Sequence, residues 1–166
     1  MDSLLRIQIR LALEDLNTGF THYLDHDRID ELVELFTEDA LYTHGGRRSE
    51  GRTAIRALFE RRAAAGVRTC RHLNTGLRLD IESPTAARGT SVCLTFAFDG
   101  PPPVTPATPY LVADFDDVYR LCADGTWRIA VRHIRRIFTA ATNAGPVGAV
   151  PSSRPTGRGP LEGEAP

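Results

Sequence analysis

The hydrophobic pattern of this chain changes its period once, and that change limits the folds that are open to it. From Ser3 to about Asp25, apolar residues recur three or four positions apart, which predicts one long amphipathic helix. The same spacing predicts a second helix from Arg28 to Phe36 and a third from Thr53 to about Ala64. A short strand from Ala40 to Thr43 is expected between the second and third helices.

Beyond the third helix, apolar and polar residues alternate, as they do in half-buried strands. The alternation covers Leu77–Ile81 and Val92–Phe98, and it returns in Leu111–Leu121 and Trp127–Phe138, which the turn Ala123-Asp124-Gly125 joins into a hairpin. The prolines before the third of these segments cannot lie in a central strand, so a long loop is expected there. Helices first and antiparallel strands afterwards predict an α+β fold rather than a doubly wound sheet.

The length of the chain predicts a single domain. With 166 residues, of which 42% are hydrophobic, the chain can bury one good core but not two. From Gly145 to Pro166 it contains five glycines and five prolines and almost no large apolar residue, so burial cannot offset the entropy of ordering this segment. We therefore expect a folded domain over residues 1–143 and a flexible Gly/Pro-rich tail over residues 144–166.

Charge and composition exclude several classes of function. The 20 basic and 21 acidic residues nearly cancel, which argues against a nucleic-acid or membrane partner and favours a small-molecule pocket. No apolar run approaches the ~20 residues that span a bilayer, and no signal-sequence pattern is present, so a cytoplasmic location is expected. All basic residues are arginines, a usage typical of GC-rich bacterial genomes, and the lack of lysine excludes Schiff-base chemistry and a phosphate-binding loop.

Neither the cysteines nor the histidines indicate a metal. The three cysteines, Cys70, Cys93 and Cys122, are widely spaced and are expected to be reduced core residues. His22 and His26 are four residues apart and could share an ion, but no third ligand stands at a recognisable spacing. No metal site is therefore predicted, and the polar segment after the first helix is interpreted as a solvated connection.

Several short segments, taken in order, resemble the SnoaL-like branch of the nuclear transport factor 2 superfamily. They are Tyr23-x-Asp25, Asp30-Glu31-Leu32, Phe36-Thr37-Glu38-Asp39-Ala40, Gly51-Arg52-x-Ala54-Ile55, Arg71-His72-Leu73-x-Thr75 and Asp124-Gly125-x-Trp127-Arg128-Ile129. Together they span roughly Leu5 to Phe138. The resemblance implies a cone-shaped barrel in which three N-terminal helices pack on a curved antiparallel sheet.

The same resemblance points to two catalytic residues. Dehydratases and dehydrochlorinases of that superfamily use an aspartate at the end of the first helix and a histidine on the first long strand, and Asp25 and His72 fall on those positions. An imidazole, with an ordinary pKa of about 6.5, suits proton transfer at neutral pH, and a buried carboxylate can orient it and stabilise its cation. Such a pair needs no cofactor.

Strict alternation conflicts with this assignment. It places His72 on the face of Arg78 and Asp80, opposite Leu77 and Leu79. A one-residue bulge within Asn74-Thr75-Gly76 would return His72 to the apolar face, and we predict that bulge.

Further candidate substrate-binding residues come from polar side chains near the ends of the predicted elements. Asp117 shares a face with Phe115 and Tyr119, where it could bind substrate or pair with Arg132 or Arg135, and Arg132 is itself a candidate for binding substrate. His133 lies on the side of Ile129 and could face either the pocket or the core. The remaining candidate donors near the mouth are Tyr23, Tyr42 and His44.

Two functions stay open at this point. The first is a cofactor-independent lyase, dehydratase-like or dehydrohalogenase-like, or an isomerase that acts on a small, largely apolar cyclic molecule. The alternative is a non-catalytic binding protein or an accessory subunit similar to the small subunits of ring-hydroxylating dioxygenases. A hydrogen-bonded Asp25–His72 pair that opens into an apolar cavity would favour the enzyme. The long strands leave an open face and edge, so a homodimer or homotrimer is also expected.

Overall fold

The computed structural model describes residues 1–140, and the tail predicted for residues 144–166 lies outside them. Three helices and six strands follow one another along the chain. They are α1 (Ser3–Asp25), α2 (Ile29–Glu34), β1 (Phe36–His44), β2 (Arg47–Glu50), α3 (Arg52–Ala64), β3 (Arg68–Ser83), β4 (Ala86–Asp99), β5 (Leu111–Leu121) and β6 (Trp127–Thr139). None of the helices in this part of the chain is long and apolar enough to cross a membrane.

The six strands form one sheet in the order β2-β1-β6-β5-β4-β3, with the helices packed on it. The predicted α+β cone with three N-terminal helices is thereby confirmed, but the sheet differs in two details. It is mixed, because β1 runs parallel to β6, and it does not close into a complete barrel, because β2 and β3 are its edges. A tight turn would force β1 to be antiparallel to its partner, whereas the long connection between β1 and β6 permits the parallel direction.

The core lies between α1 and the sheet. The predicted apolar stripe of α1 is buried, and Phe20 is at its centre. Its ring meets the rings of Phe36, Phe59 and Phe115 edge to face, with centroids 6.0, 6.4 and 6.2 Å away. Because these rings come from β1, α3 and β5, burial of this one aromatic cluster fixes α1 against both the sheet and the third helix.

A bulge in β3 settles which way His72 points. Thr75 pairs with Val92, but Arg78, three residues later, pairs with Thr90, only two residues away along β4. Gly76 lies within this bulge and adopts the left-handed conformation, at φ +66°. The predicted bulge is thus confirmed, and it allows His72 before it and the apolar residues after it to share the inner face.

A second bulge, in β6, has the opposite consequence for His133. Val118 pairs with Val131 and Tyr119 with Ile129, which leaves Ala130 unpaired. The extra residue shifts the alternation, so Arg132 points into the core and His133 lies on the outer face, exposed, where its Nδ1 shares a 2.7 Å hydrogen bond with Oγ1 of Thr43. Strict alternation predicted that His133 shares the face of Ile129, and that prediction is wrong.

A fully buried ion pair joins β5 and β6. Arg132 and Asp117 each have 0% side-chain exposure, and Arg132 donates from Nε and Nη2 to the two carboxylate oxygens at 2.8 and 2.7 Å. Asn17 Oδ1 accepts a further bond from Arg132 Nη2 at 2.6 Å, and the Tyr119 hydroxyl donates to Asp117 at 2.7 Å. This is the structural pairing weighed for Asp117, and it ties α1 to the sheet.

Removing one partner of this pair should be costly. Asp117→Asn leaves the Arg132 guanidinium buried without its counter-charge, so the free energy of unfolding should fall by about 3–5 kcal/mol. Asp114→Asn is the matched control, because Asp114 pairs with Arg135 across the same two strands but with side chains 37% and 77% exposed. Urea denaturation should show a loss below about 1 kcal/mol for the control. Equal losses for the two variants would contradict this account of the core.

Candidate active site

The end of α1 places Asp25 against β3. Helix α1 ends in a turn in which Asp27 adopts φ +50° and the backbone N–H of Arg28 donates to the carbonyl of Tyr23 at 2.9 Å. Asp25 is the last residue of the helix, and its carboxylate therefore projects from the helix end toward the strand that carries His72.

His72 binds both oxygens of the Asp25 carboxylate. Its ring Nδ1 lies 2.5 Å from Oδ1, and its backbone N–H donates to Oδ2 at 2.9 Å. A carboxylate only accepts hydrogen bonds, so Nδ1 carries the proton of this pair. In the neutral ring the lone pair is then on Nε2, the nitrogen turned away from Asp25.

Burial and hydrogen bonding oppose each other at Asp25. The side chains of Asp25 and His72 are 6% and 14% exposed. Burial raises the pKa of the Asp25 carboxyl, but the hydrogen bonds from the His72 ring and backbone, with the charge of His72, outweigh it and hold the pKa below its ordinary value. Asp25 is therefore ionised at neutral pH and can stabilise an imidazolium at His72.

Cys70 and Arg62 complete the surroundings of the pair. Ligand atoms of Asp25, Cys70 and His72 lie within 4.8 Å of one another, a separation that could suit a metal ion. Burial raises the pKa of the Cys70 thiol, and Arg62 Nη2 donates to its sulfur at 3.0 Å. A protonated thiol beside a guanidinium is a poor ligand for a cation. The donor set fits a hydrogen-bonded pair better than a metal centre.

His72 opens into a cavity of about 640 Å³ between the helices and the sheet. Its floor is apolar and buried, and it includes Phe20, Leu24, Phe59 and Phe115. Asp25 does not line the cavity but lies behind His72. A volume of this size is typical of sites for small organic molecules.

Tyr42 and His44, two of the predicted binding residues, line the same cavity. Burial raises the pKa of Tyr42 to about 12, so its hydroxyl stays protonated. Burial, followed by the charges of Arg136 and Arg47, lowers the pKa of His44 to about 4, so its ring is neutral at physiological pH. Both residues can offer a hydrogen to a ligand without carrying a positive charge.

The other predicted binding residues lie elsewhere among residues 1–140. Asp117 and Arg132 are paired beneath the floor, and His133 is on the outer face. The half-buried ring of Tyr23 contacts the Arg28 guanidinium, 5.0 Å from its centroid, and does not line the cavity. Of the six binding candidates, the structure brings two to the Asp25–His72 pair.

Sequence reasoning missed the arginines at the cavity's rim. Five arginines line it, namely Arg47, Arg61, Arg62, Arg68 and Arg136. Four of them come from the doublets Arg47-Arg48, Arg61-Arg62 and Arg135-Arg136 at element ends, which was the available signal.

Comparisons with known proteins agree with this architecture. The SnoaL-like domain family matches residues 6–133, whereas no curated protein matches the sequence. Among solved structures, a predicted scytalone dehydratase from Novosphingobium aromaticivorans DSM 12444 is 23% identical, with a TM-score of 0.75 over 90% of this chain and 99% of the other. LinA is 22% identical, with a TM-score of 0.73 over 90% of this chain and all of its own.

A third similar structure is that of a protein from Catenulispora acidiphila in complex with S-DNPA. It is 23% identical, with a TM-score of 0.68 over 78% of this chain and 94% of the other. Identities this low show a shared fold, and the family match covers most of the described residues. The chain belongs to the SnoaL-like domain family.

Proposed function

We propose that this protein is a cofactor-independent lyase or isomerase that removes a proton from a small, largely apolar cyclic substrate, with His72 as the base. The observation that carries the proposal is the pair itself. His72 is bonded through Nδ1 to an ionised, buried carboxylate, and its ring lines a cavity with an apolar floor. A general base needs a lone pair directed at the substrate and a partner that holds its ring, and this arrangement supports both.

The reaction follows from that geometry. Nε2 of His72 takes a proton from a carbon of the substrate, and Asp25 stabilises the imidazolium that forms. In an elimination, the electrons of the broken C–H bond form a double bond as a hydroxyl or halide leaves. In an isomerisation, His72 returns the proton to a second carbon. Tyr42 and His44 line the same cavity and are the candidate donors to the leaving group or to an enolate oxygen.

The arrangement favours this function over simple binding. An acidic residue at the C-terminal end of a helix opposes the helix dipole, and a buried carboxylate loses hydration, so neither feature is expected of a group without a task. Other members of the fold include LinA and a predicted scytalone dehydratase, which is consistent with an enzyme that processes a small molecule. The non-catalytic alternative is an outcome of the experiment below.

Turnover should depend on His72. A screen of cyclic alcohols and halides should find a substrate whose kcat/KM falls by about 10²–10⁴-fold in His72→Ala, the usual contribution of a general base. Asp25→Asn should also lower kcat, because the ring loses the charge that stabilises its cation. His133→Ala is the matched control, since that histidine lies on the outer face.

Equal turnover by His72→Ala and the unaltered protein would end the dyad proposal. Binding of panel members without turnover by the unaltered protein would favour the non-catalytic alternative.

The pKa of Asp25 should report the hydrogen bond from His72. In His72→Ala the ring is lost while burial persists, so the Asp25 pKa should rise relative to the unaltered protein, as measured by carbon NMR of the side-chain carboxyl. Because folding lowers the pKa of Asp25, the hydrogen bond from His72 stabilises the folded protein above the ordinary carboxyl pKa of about 3.9. This stabilisation is lost as the pH falls through the pKa that Asp25 has in the folded protein. An Asp25 pKa that is unchanged or lower in the variant would contradict the assigned interaction.

A further inference from the structure

The rim of the cavity is strongly basic. Arginines from four elements line it, and Asp99 is the one carboxylate among the lining residues. The aromatic residues of the floor are buried, whereas Arg47, Arg61 and Arg136 are exposed, so these charges lie toward the solvent side of the cavity. Since the sequence as a whole is nearly neutral, this concentration of arginines is a local property of the site.

Two of the rim arginines are already engaged. Arg68 pairs with Asp99. Arg62 donates to the carbonyl of Leu24 at 3.2 Å and to Cys70, and it lies 3.6 Å from a carboxylate oxygen of Asp27. These contacts tie Arg62 to the end of α1 and leave it little capacity for a ligand.

The other three, Arg47, Arg61 and Arg136, form no salt bridge with any residue in the described range 1–140. Most other arginines of that range do pair with a carboxylate, including Arg48 with Glu50 and Arg135 with Asp114. Arg48 and Arg135 are thus neutralised by carboxylates, whereas their sequence neighbours Arg47 and Arg136, which line the cavity, are not.

The position of Arg136 is built by the backbone. Arg136 continues the alternation that places Arg132 and Ile134 on the inner face of β6, so its side chain lies on the cavity side. Its guanidinium lies over Gly45, where an added Cβ would stand 2.5 Å from Nη2 and 2.6 Å from Cζ. Only a residue without a side chain leaves that space free, and Gly45 also has φ +55°.

The side chain nearest to Arg136 cannot neutralise it. Arg136 Nε donates to Nε2 of His44 over a long 3.5 Å, and His44 is uncharged at physiological pH. A guanidinium presents two parallel N–H groups that match the two oxygens of a carboxylate.

We infer that the substrate is a cyclic carboxylic acid, whose carboxylate is bound at the rim by Arg47, Arg61 and Arg136 while its ring rests on the apolar floor beside His72. This inference rests on the proposed function, because it names the substrate class of that same site. It adds a role for three arginines that the proton transfer itself does not require.

Isothermal titration calorimetry can test the inference without turnover. The probes are 2-naphthoate and benzoate, each compared with its neutral carboxamide, which has nearly the same shape. The unaltered protein should bind each carboxylate about tenfold or more tightly than its amide, as expected for a charge-assisted hydrogen bond. Raising the sodium chloride concentration should reduce the preference through screening.

Variants localise the effect. Arg136→Gln and Arg47→Gln should each weaken carboxylate binding by about fivefold or more and leave amide binding unchanged. Arg48→Gln is the matched control, because Arg48 adjoins Arg47 but pairs with Glu50 at 2.5 Å and does not line the cavity. His72→Ala should keep the preference, so failure of the dyad proposal and failure of this inference give different results.

Equal affinity for acid and amide would overturn the inference, as would failure of every probe to bind. It would also be overturned if Arg48→Gln weakened carboxylate binding as much as Arg136→Gln does.

Discussion

The two hydrogen bonds between His72 and the carboxylate of Asp25 connect the helical layer to the edge strand of the sheet at the cavity. They hold Asp25 at a place that the helix dipole disfavours, because a negative charge there lies beside the partial negative charge of the helix end. Arg62 offsets part of this cost by donating to the carbonyl of Leu24, one of the carbonyls left free at the end of α1. The site therefore depends on an ordered C-terminal end of α1, which contacts from α3 and β3 hold in place.

The cavity separates three kinds of environment along its depth. Aromatic side chains of α1, α3 and β5 form the floor, His72 lines one wall with Asp25 behind it, and exposed arginines line the solvent side. Beneath the floor, Arg132 and Asp117 form a second ion pair, which is fully buried and does not line the cavity. The Arg132 guanidinium stacks on Phe20 and Phe115, 4.3 and 4.8 Å from their ring centroids. One pair thus lies within the core, and the other borders the cavity.

The elements whose patterns are local could be predicted from the sequence, whereas most features that depend on strand register could not. The bounds of α1 agree with its stripe, and the bulge in β3 could be predicted because His72 and Leu77 otherwise fall on opposite faces. The bulge at Ala130 has no comparable signal, since alanine favours no special backbone conformation, and it reverses the faces of Arg132 and His133. The parallel pairing of β1 with β6 arises from contacts between distant segments, which periodicity does not describe. The inward position of Arg136 follows from the same bulge at Ala130.

The central claim is that Asp25 fixes the tautomer of His72 so that a lone pair faces the cavity. Long-range proton–nitrogen NMR of the imidazole, recorded where the ring is neutral, measures this directly. The account predicts a proton on Nδ1 of His72 and an unprotonated Nε2, with the preference weakened in Asp25→Asn. A neutral ring with its proton on Nε2 would contradict it.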